Sequence, residues 1–313
     1  MACYAVTGGA GFIGSHIVCR LLADGHEVRV VDDFSTGRRE NLSGVGSAAA
    51  MFEGDVCDAE VLRRAFDGAE CVFHQAALAS VQRSVEDPIS TNRANVVGTL
   101  QVLRTAHECG VRRVVFASSS SVYGDAPTLP KHERMTPAPK SPYAVSKLAG
   151  EHYCRVYAEV FGLETVALRY FNVFGPRQDP ASEYAAVVPI FITSLLRGSQ
   201  PTVFGDGEQS RDFTYVDNVV DANLLAAAAK GASGMALNVG CGTRCTLNEL
   251  LAMLGRIIGC EVRPTYAELR PGDVKHSQAD IALARRTLGY EPFIGVEEGL
   301  RRTLEWHRAE AQQ

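Results

Sequence analysis

Long apolar runs are missing from this sequence, and so is a charged segment followed by an apolar one at its start. No apolar stretch approaches the ~20 residues that a membrane-spanning helix requires. The first residues, MACYAVTGG, pass directly into a strand pattern, whereas a signal peptide begins with positive charge. We therefore expect a cytoplasmic protein without a membrane partner.

An excess of positive charge is also absent. The 313 residues include 31 Lys and Arg against 36 Asp and Glu, a formal net charge of −5. Nucleic acids and anionic membranes attract basic surfaces, so this balance argues against both as partners. Only Cys241 and Cys245 of the nine cysteines stand close together, and no Cys or His cluster accompanies them. We therefore expect reduced thiols and no metal site.

What the sequence does contain is a regular alternation of buried strands and amphipathic helices. Hydrophobic residues make up 46% of the chain, enough for one large domain or two smaller domains that share a core. Val- and Ala-rich strands separated by helices indicate right-handed βαβ units, and hence an α/β fold with a Rossmann-type, doubly wound parallel sheet. Strands are predicted at 3–8, 27–32, 71–77, 112–119 and 164–170, and helices at 12–24, 58–67, 92–109 and 143–161.

The pattern changes after Phe171. Residues 171–212 are rich in Pro, Gly and aromatic residues, whereas 213–240 return to strands and a helix. No Gly/Ser-rich linker separates the two kinds of sequence. We predict a nucleotide-binding domain over 1–170, to which 213–240 returns, and a smaller mixed substrate domain built from 171–212 and 241–313.

A glycine-rich segment follows the first predicted strand. Gly8, Gly11 and Gly14 form the pattern G-x-x-G-x-x-G, and a helix begins where the pattern ends. Glycine permits a tight turn, close approach of the backbone to a diphosphate, and close packing of helix on strand. The helix N-terminus then offers free N–H groups and a positive dipole end to phosphate groups. This context predicts a dinucleotide site.

Acidic residues end the next strands. Asp32 comes eighteen residues after Gly14 and is followed by Asp33. A carboxylate here accepts hydrogen bonds from the adenine-side ribose and repels a 2′-phosphate, which favours NAD over NADP. The alternative is a capping Asp. Asp55, in EGDVCD, suits the adenine edge or else caps the following helix.

The segment SPYAVSK places a tyrosine four residues before a lysine. Ser141 can cap a helix that begins at Pro142, so Tyr143 and Lys147 lie on one helical face. A phenol titrates near pH ~10, and a nearby ammonium and a cationic nicotinamide both favour the phenolate. With a serine from the strand VVFASSSSVYG, the pair can deprotonate an alcohol while its carbon gives hydride to NAD. The alternative is a surface helix in which the tyrosine packs against the lysine stem.

Seven motifs follow one another along nearly the whole chain: TGGAGFIGSH, HQAA, SSSSVYG, SPYAVSK, LRYFNVFGPRQDP, GDGEQSRDFTYVDN and RPGD. Together they resemble the extended short-chain dehydrogenase/reductase family, in its nucleotide-sugar epimerase and dehydratase branch. The resemblance implies an NAD-dependent enzyme whose catalytic residues are Ser119, Tyr143 and Lys147. Ser118 and Ser120 are alternatives to Ser119.

The resemblance also implies contacts with the cofactor. Ala76 and Ala77 match small residues beside the NAD diphosphate, and Lys147 is expected to bind the nicotinamide ribose. Asn95 matches an asparagine near the active-site strand, or else it is a buried asparagine with a backbone partner. The set expected around NAD is Gly8, Gly11, Phe12, Ile13, Gly14, Asp32, Asp33, Ser35, Thr36, Gly37, Asp55, Val56, Gln75, Ala76, Ala77, Asn95, Tyr143, Lys147 and Phe171.

The residues after Ser119 distinguish the reactions of this branch. Sugar 4,6-dehydratases carry Asp-Glu where this chain has Ser120 and Ser121, and nucleotide-sugar decarboxylases carry Glu at the second position. Without these carboxylates, elimination and decarboxylation lack their usual catalyst. What remains is oxidation at C4, rotation of the 4-keto sugar and return of the hydride to its other face, which is a 4-epimerisation.

The resemblance implies a UDP-sugar substrate. Asn172, Arg211, Arg270 and Asp273 would hold the UDP part, since an arginine fork suits a diphosphate. An ion pair with an acidic neighbour is the alternative for Arg211, and a solvated loop charge is the alternative for Arg270. The full set expected around the substrate is Ala79, Ser119, Ser120, Asn172, Ala186, Val187, Val203, Arg211, Arg270, Asp273 and Ser277.

The size of the sugar pocket depends on Ser277, which stands where glucose-restricted 4-epimerases carry a bulky tyrosine. The small residues Ala79 and Ala186 also face the substrate by resemblance. We therefore expect a UDP-hexose 4-epimerase that accepts UDP-GlcNAc and UDP-GalNAc, and UDP-Glc and UDP-Gal as well, because room for a larger group does not reject a smaller one. A UDP-glucuronate 4-epimerase, or another epimerase or dehydratase of the family, is the alternative.

Two other classes of function would differ from an epimerase in their motifs or their products. A non-catalytic NAD-binding scaffold would have a damaged phosphate loop or Tyr–Lys pair, and both are intact. A one-way dehydrogenase would release NADH. The resemblance further implies a homodimer that pairs through a four-helix bundle, with residues 92–109 and 143–161 of each subunit, although core packing explains the apolar faces of these helices equally well.

Overall fold

The computed structural model describes residues 1–180, 186–268 and 275–310. A central sheet is formed by β1 (Cys3–Thr7), β2 (Glu27–Asp32), β3 (Ala49–Glu53), β4 (Cys71–His74), β5 (Arg113–Ser119), β6 (Glu164–Tyr170) and β11 (Met235–Val239). All seven strands are parallel, in the order β11-β6-β5-β4-β1-β2-β3. Every residue of β4 is buried, as expected for a sheet covered on both faces. The predicted doubly wound α/β fold is confirmed.

The order of the strands reverses between β1 and β4. From β1 the chain proceeds through β2 to β3, and it then crosses to β4, β5 and β6 on the other side. The carboxyl ends of β1 and β4 therefore border a crevice, which is where open α/β sheets bind ligands. Thr7 and His74, the last residues of these strands, are hydrogen-bonded through their side chains (2.7 Å).

Helices connect the strands and cover the sheet. They are α1 (Phe12–Ala23), α2 (Ala59–Phe66), α3 (Val81–Glu86), α4 (Pro88–Asn92), α5 (Gly98–Glu108), α6 (Pro142–Phe161), α7 (Val187–Leu196), α8 (Val216–Ala228), α9 (Leu247–Ile258), α10 (Ala282–Leu288) and α11 (Val296–Glu310). Helix α6 begins as its sequence predicts, with Pro142 first and the hydroxyl of Ser141 accepting a hydrogen bond from the N–H of Ala144 (3.1 Å). It ends at Gly162, whose φ of 71° suits glycine.

The predicted helix at 92–109 is interrupted. A helix starts earlier, at Pro88, because the carboxylate of Asp87 accepts a hydrogen bond from the N–H of Ser90 (3.0 Å) and proline suits a first turn. Residues Arg93–Val97 then form a π-helical turn before α5 begins. The extra residue of this turn breaks the regular period on which the sequence-based prediction relied.

The chain leaves the sheet after β6 and returns to it as β11, which pairs with β6. The excursion contains α7, and a second excursion after β11 contains α9, α10 and α11. Short strands tie these parts together: β7 (Val173–Phe174) with β10 (Thr214–Tyr215), β9 (Ser210–Arg211) with β12 (Cys245–Thr246), and β8 (Thr202–Phe204) with β13 (Thr265–Ala267). This course is compatible with the division into two domains, which stays a prediction.

Buried apolar side chains form two clusters, one on each face of the sheet. Neighbouring residues of β1 belong to different clusters, Val6 to the larger and Ala5 to the smaller. The larger cluster also contains Phe191 of α7 and Leu250 of α9, so both excursions are anchored to the core of the sheet.

No helix among the described residues is long and apolar enough to cross a bilayer. Within the same ranges, no group of three or more His, Cys, Asp or Glu residues is placed to hold a metal ion. The nine cysteines are free thiols.

Candidate active site

A cleft of about 470 Å³ lies at the carboxyl edge of the sheet. Its walls come from the loop after β1, the ends of β2 and β5, the segment after β4, and the first turns of α6. Of the residues expected around NAD, all but Asn95 and Phe171 line this cleft. Residues scattered over the first 170 positions are thus brought to one place.

The glycine loop forms one wall of the cleft. Gly8 has a φ of 68°, and a Cβ there would lie 2.6 Å from the backbone nitrogen of Ala76. A Cβ on Gly14 would lie 2.1 Å from the carbonyl oxygen of Gly8. Gly11, at the N-cap of α1, has no side chain to occupy the free N–H groups of the first turn. The loop therefore presents backbone donors and a positive helix end to an anion.

Asp32 and Asp33 lie at the adjoining part of the cleft but differ in environment. The carboxylate of Asp32 is buried and accepts hydrogen bonds from the N–H groups of Ala10 and Phe34, each at 2.9 Å. Burial raises the pKa of Asp32, and these hydrogen bonds oppose that rise. Asp33 is exposed and accepts a hydrogen bond from the N–H of Ser35 (2.9 Å). Asp32 thus shapes the loop, while Asp33 presents the more accessible carboxylate.

Asp55 lines the cleft and is not the cap of the next helix, because Asp58 caps α2. Burial would raise the pKa of Asp55, but hydrogen bonds from Cys57 and an ion pair with Arg93 (2.8 Å) hold it below its usual value. The carboxylate is therefore ionised beside the cleft at neutral pH.

Asn95 and Phe171 lie behind the cleft wall. Asn95, in the π-helical turn, is buried and exchanges hydrogen bonds with the backbone of Leu78 (2.8 and 3.2 Å) while donating to the hydroxyl of Ser146 (3.0 Å). Phe171 is fully buried in the larger apolar cluster. Neither side chain is among those that line the cleft, and the backbone-partner alternative for Asn95 describes its contacts.

The serine, tyrosine and lysine meet where β5 ends against α6. Ser119 lies beside Tyr143, and its hydroxyl accepts a hydrogen bond from the N–H of Ser121 (3.2 Å). Burial raises the pKa of Tyr143, whereas the neighbouring hydroxyl of Ser119 lowers it. The ammonium of Lys147 donates to the carbonyl of Ala117 (2.8 Å) and lies 5.9 Å from the ring centre of Tyr143. Burial lowers the pKa of Lys147 to about 7.

The three serines differ in their surroundings. The hydroxyl of Ser118 donates to the carboxylate of Glu151, away from Tyr143. Ser120 begins a short 3-10 helix after β5. Ser119 is the serine beside the phenol, whereas Ser118 is the one that lines the cleft. The ammonium of Lys147 donates its hydrogen bond to the backbone of β5 and not to the phenol. Its expected lowering of the pKa of Tyr143 is therefore electrostatic and does not involve a direct hydrogen bond.

A second cavity, of about 270 Å³, lies in the part built from the excursions. Five residues expected around the substrate line it: Asn172, Ala186, Val187, Val203 and Arg211. Asn172 has a φ of 33° and donates to the backbone carbonyl of Asp212 (3.2 Å), so a tight backbone position is held by its own side chain. Aromatic side chains complete the walls, namely Phe174, Phe191, Phe204 and Phe213.

The other residues expected around the substrate are spread more widely. Ala79 lines the first cleft. Ser277 is partly buried, and its N–H donates to the carbonyl of Ser210 (2.9 Å), so it is fixed beside β9. Arg270 and Asp273 lie outside the described residues.

Several residues of the first cleft were not anticipated from the sequence, Arg83 and Tyr170 among them. Arg83 of α3 brings positive charge to the cleft. Tyr170, at the end of β6, lines the cleft and has its hydroxyl bonded to the side chains of Gln75 (3.1 Å) and Asn223 (2.9 Å). The alternation of apolar residues contains no signal for either, because each depends on which elements meet at the cleft.

Comparisons with known sequences identify related proteins. The model of a family described as "NAD dependent epimerase/dehydratase family" matches residues 4–240. A UDP-glucose 4-epimerase of Mycolicibacterium smegmatis is 42% identical over 312 residues, which cover 98% of this chain and 99% of that protein.

Solved structures agree over the whole fold. A UDP-N-acetylglucosamine 4-epimerase from Methanobrevibacter ruminantium M1, in complex with UDP-N-acetylmuramic acid, matches with a TM-score of 0.95 and 40% identity over 99% of each chain. A UDP-glucuronic acid 4-epimerase variant from Bacillus cereus, in complex with UDP-4-deoxy-4-fluoro-glucuronic acid and NAD, matches with a TM-score of 0.91 and 31% identity, covering 98% of this chain and 99% of that one.

Proposed function

Because this chain belongs to the NAD-dependent epimerase/dehydratase family, with NAD as its cofactor, we propose that it is a 4-epimerase of UDP-hexoses. The observation that carries the proposal is that Tyr143 and Lys147, one turn apart on α6, line the cleft that the glycine loop borders, with Ser119 of β5 beside Tyr143. Such a group can move a proton to and from a sugar hydroxyl. No carboxylate stands at Ser120 or Ser121 to catalyse elimination.

The residues of the cleft fit NAD. The glycine loop leaves space that a single Cβ would fill, and its helix end favours a diphosphate. Asp33 would offer its exposed carboxylate to the adenine-side ribose, and Asp55, which lines the same cleft, is proposed for the adenine edge. Lys147 is in reach of the cleft for the second ribose. When bound, NAD accepts a hydride from C4 of the sugar and returns it.

Proton transfer is the part of the reaction that this chain supplies. The phenolic oxygen of Tyr143 takes the proton of the C4 hydroxyl while Ser119 aligns that hydroxyl by hydrogen bonding. The same proton goes back to the oxygen after the 4-keto sugar has turned its other face to the cofactor. Burial opposes ionisation of Tyr143, so positive charge in the cleft is needed to favour the phenolate.

The second cavity is the proposed site of the UDP part. Arg211 would pair with the diphosphate, and Asn172 would contribute a polar contact from its fixed backbone position. The surrounding aromatic walls suit a flat base. Arg270 and Asp273 are proposed to complete the site.

We propose that the sugar carries an N-acetyl group. Ser277 and Ala79 are small, and both belong to the substrate set by resemblance. Relatives are named for glucose, N-acetylglucosamine and glucuronic acid, so the small size of residues 79 and 277 supports this point rather than the names of the relatives. A small residue at position 277 leaves the 2-substituent unobstructed.

The test is NMR of purified protein mixed separately with UDP-GlcNAc, UDP-glucose and UDP-glucuronate, without added NAD. We expect a 4-epimer from UDP-GlcNAc, and we expect Ser277→Tyr to reduce its formation by about 100-fold while conversion of UDP-glucose persists. Turnover of UDP-glucose or UDP-glucuronate alone would keep the mechanism and overturn the sugar. A 4-keto-6-deoxy product, or no reaction even with NAD supplied, would overturn the 4-epimerase.

We further propose that the protein is a homodimer. Large apolar side chains are exposed along the helices α3, α4 and α6 and the π-helical turn: Val81, Val85, Ile89, Val97, Val145, Val156, Val160 and Phe161. Because these side chains face solvent, core packing does not explain them. An exposed apolar face of this kind is typical of a subunit interface.

The dimer can be dissociated by charge. The double variant Val156→Glu, Val160→Glu places carboxylates on this face of α6, and unpaired buried charge is costly, so we expect the dissociation constant to rise by about 100-fold or more. Light scattering after size-exclusion chromatography measures the mass. Met51→Glu, on the exposed side of β3, is the matched control and should stay dimeric. A monomeric wild-type protein at micromolar concentration would contradict the proposal.

A further inference from the structure

The end of β5 is held by α6 through three consecutive residues. Each of these residues contacts one of three residues that lie one turn apart on the helix, because positions i, i+4 and i+8 share a face. The pairs are Ala117 with Lys147, Ser118 with Glu151, and Ser119 with Tyr143. Two of the pairs contain proposed catalytic residues, and the third joins Ser118, which lines the cleft, to a carboxylate that does not.

Glu151 is part of a buried ion pair. The guanidinium of Arg169, from the neighbouring strand β6, donates to both carboxylate oxygens of Glu151 (2.8 and 2.7 Å). The two side chains are 5% and 7% exposed, so the charges are almost fully removed from water. Register in the sheet sets Arg169 directly beside Ser118, which donates its hydroxyl to the same carboxylate. The carboxylate thus ties the two strands to the helix.

The network continues away from the cleft. A third N–H group of Arg169 donates to the hydroxyl of Tyr123 (2.8 Å), which donates to the side-chain oxygen of Asn238 on β11 (2.7 Å). The amide of Asn238 donates in turn to the carbonyls of Lys131 (2.9 Å) and Asp280 (3.1 Å). Every member has a fixed partner, so the position of Glu151 is determined from several elements at once.

We propose that Glu151 and Arg169 are positioning residues for Ser119: through the hydroxyl of Ser118 they fix the end of β5, so that Ser119 meets Tyr143. The inference rests on the proposed function, because Ser119 matters only if it aligns a sugar hydroxyl. Neither Glu151 nor Arg169 lines the cleft, and neither would touch substrate or cofactor. Small displacements of reacting groups cost large factors in rate, so a side chain behind the cleft can control turnover.

Ser118→Ala tests the link with the least disturbance, since it leaves the ion pair in place. We expect kcat to fall roughly tenfold, the range for one hydrogen bond to a charged acceptor. The KM for the UDP-sugar and the content of bound NAD should stay unchanged. Thr303→Val is the matched control, because it removes a buried hydroxyl from α11, and its kcat should stay within about twofold of wild type.

A second variant tests the pair itself. Glu151→Leu combined with Arg169→Met removes both charges, so neither is left buried without its partner. We expect folded protein that retains NAD, with kcat lowered on the order of 100-fold because the end of β5 has lost its anchor. A purely structural role would lower the melting temperature and leave kcat of the folded protein intact. That result, or a rise in KM that accounts for the whole loss, would overturn the inference.

The inference and the proposed function can fail separately. If wild-type protein epimerises no UDP-sugar, the proposed function fails, and the geometry is then judged by a crystal structure of Ser118→Ala. A contact between Ser119 and Tyr143 that persists unchanged in that structure would overturn the positioning role. A contact that is lost would support it.

Discussion

Tyr143→Phe is expected to lower kcat for 4-epimerisation by about 10²- to 10⁴-fold, the range for loss of a general acid–base group. Phenylalanine keeps the ring that packs at the start of α6 and removes the oxygen that Ser119 contacts. Binding of NAD and of the UDP-sugar should change little, because most cleft contacts come from other elements. Initial rates by NMR, with NAD content measured on the same samples, give kcat and KM.

The matched control is Tyr153→Phe, on the same helix but outside the cleft, which should keep wild-type kcat. If Tyr143→Phe retained more than about a tenth of the wild-type kcat, the proton would be accepted by another group, and the assignment of Tyr143 would be wrong.

Gly14→Ala is expected to abolish copurification of NAD and to weaken its binding on the order of 100-fold or more. The added Cβ would lie 2.1 Å from the carbonyl oxygen of Gly8, and also within 2.9 Å of the backbone of Gly9. Both neighbours are backbone atoms, so the loop itself must move, and the N–H groups of α1 then lose their position around the diphosphate. Titration calorimetry with NAD measures the affinity, and the ratio of absorbance at 260 and 280 nm reports the copurified cofactor.

Gly44→Ala is the control for this change. A Cβ on Gly44 meets nothing within 4 Å, and its φ lies outside the left-handed range, so NAD binding should be unaffected. Wild-type affinity in Gly14→Ala would show that the loop does not approach the diphosphate closely, and the cofactor site would have to be placed elsewhere in the cleft.

Much of the fold can be predicted from the sequence, because the parallel sheet is buried on both faces. The strands Glu27–Asp32 and Glu164–Tyr170 occupy the predicted bounds. The π-helical turn at Arg93–Val97 could not be predicted, since it is set by Asp87 at one end and by packing around Asn95. Strands of two or three residues, such as Ser210–Arg211, have no periodicity to detect.

The candidate site, too, could be predicted from the sequence only in part. The glycine loop and the Tyr–Lys pair are local patterns, so their spacing alone placed them at a strand end and on one helical face. Our proposal of Ser119 rather than Ser118 depends on the position of α6 against β5, which no local pattern contains. Arg83 reaches the cleft only because the segment after β4 folds across it. The features of the site that depend on long-range packing therefore cannot be predicted from residue spacing.

The return of β11 to the edge of the sheet beside β6 limits how this chain can exchange parts with its relatives. The segment that lines the second cavity is an insertion between two strands of one sheet, not a module appended to it. A chimaera that took everything after residue 170 from a relative would pair a foreign β11 with the native β6. A chimaera designed to change substrate preference should therefore replace two separate segments, 171–212 and 241–310, and keep the native residues 213–240.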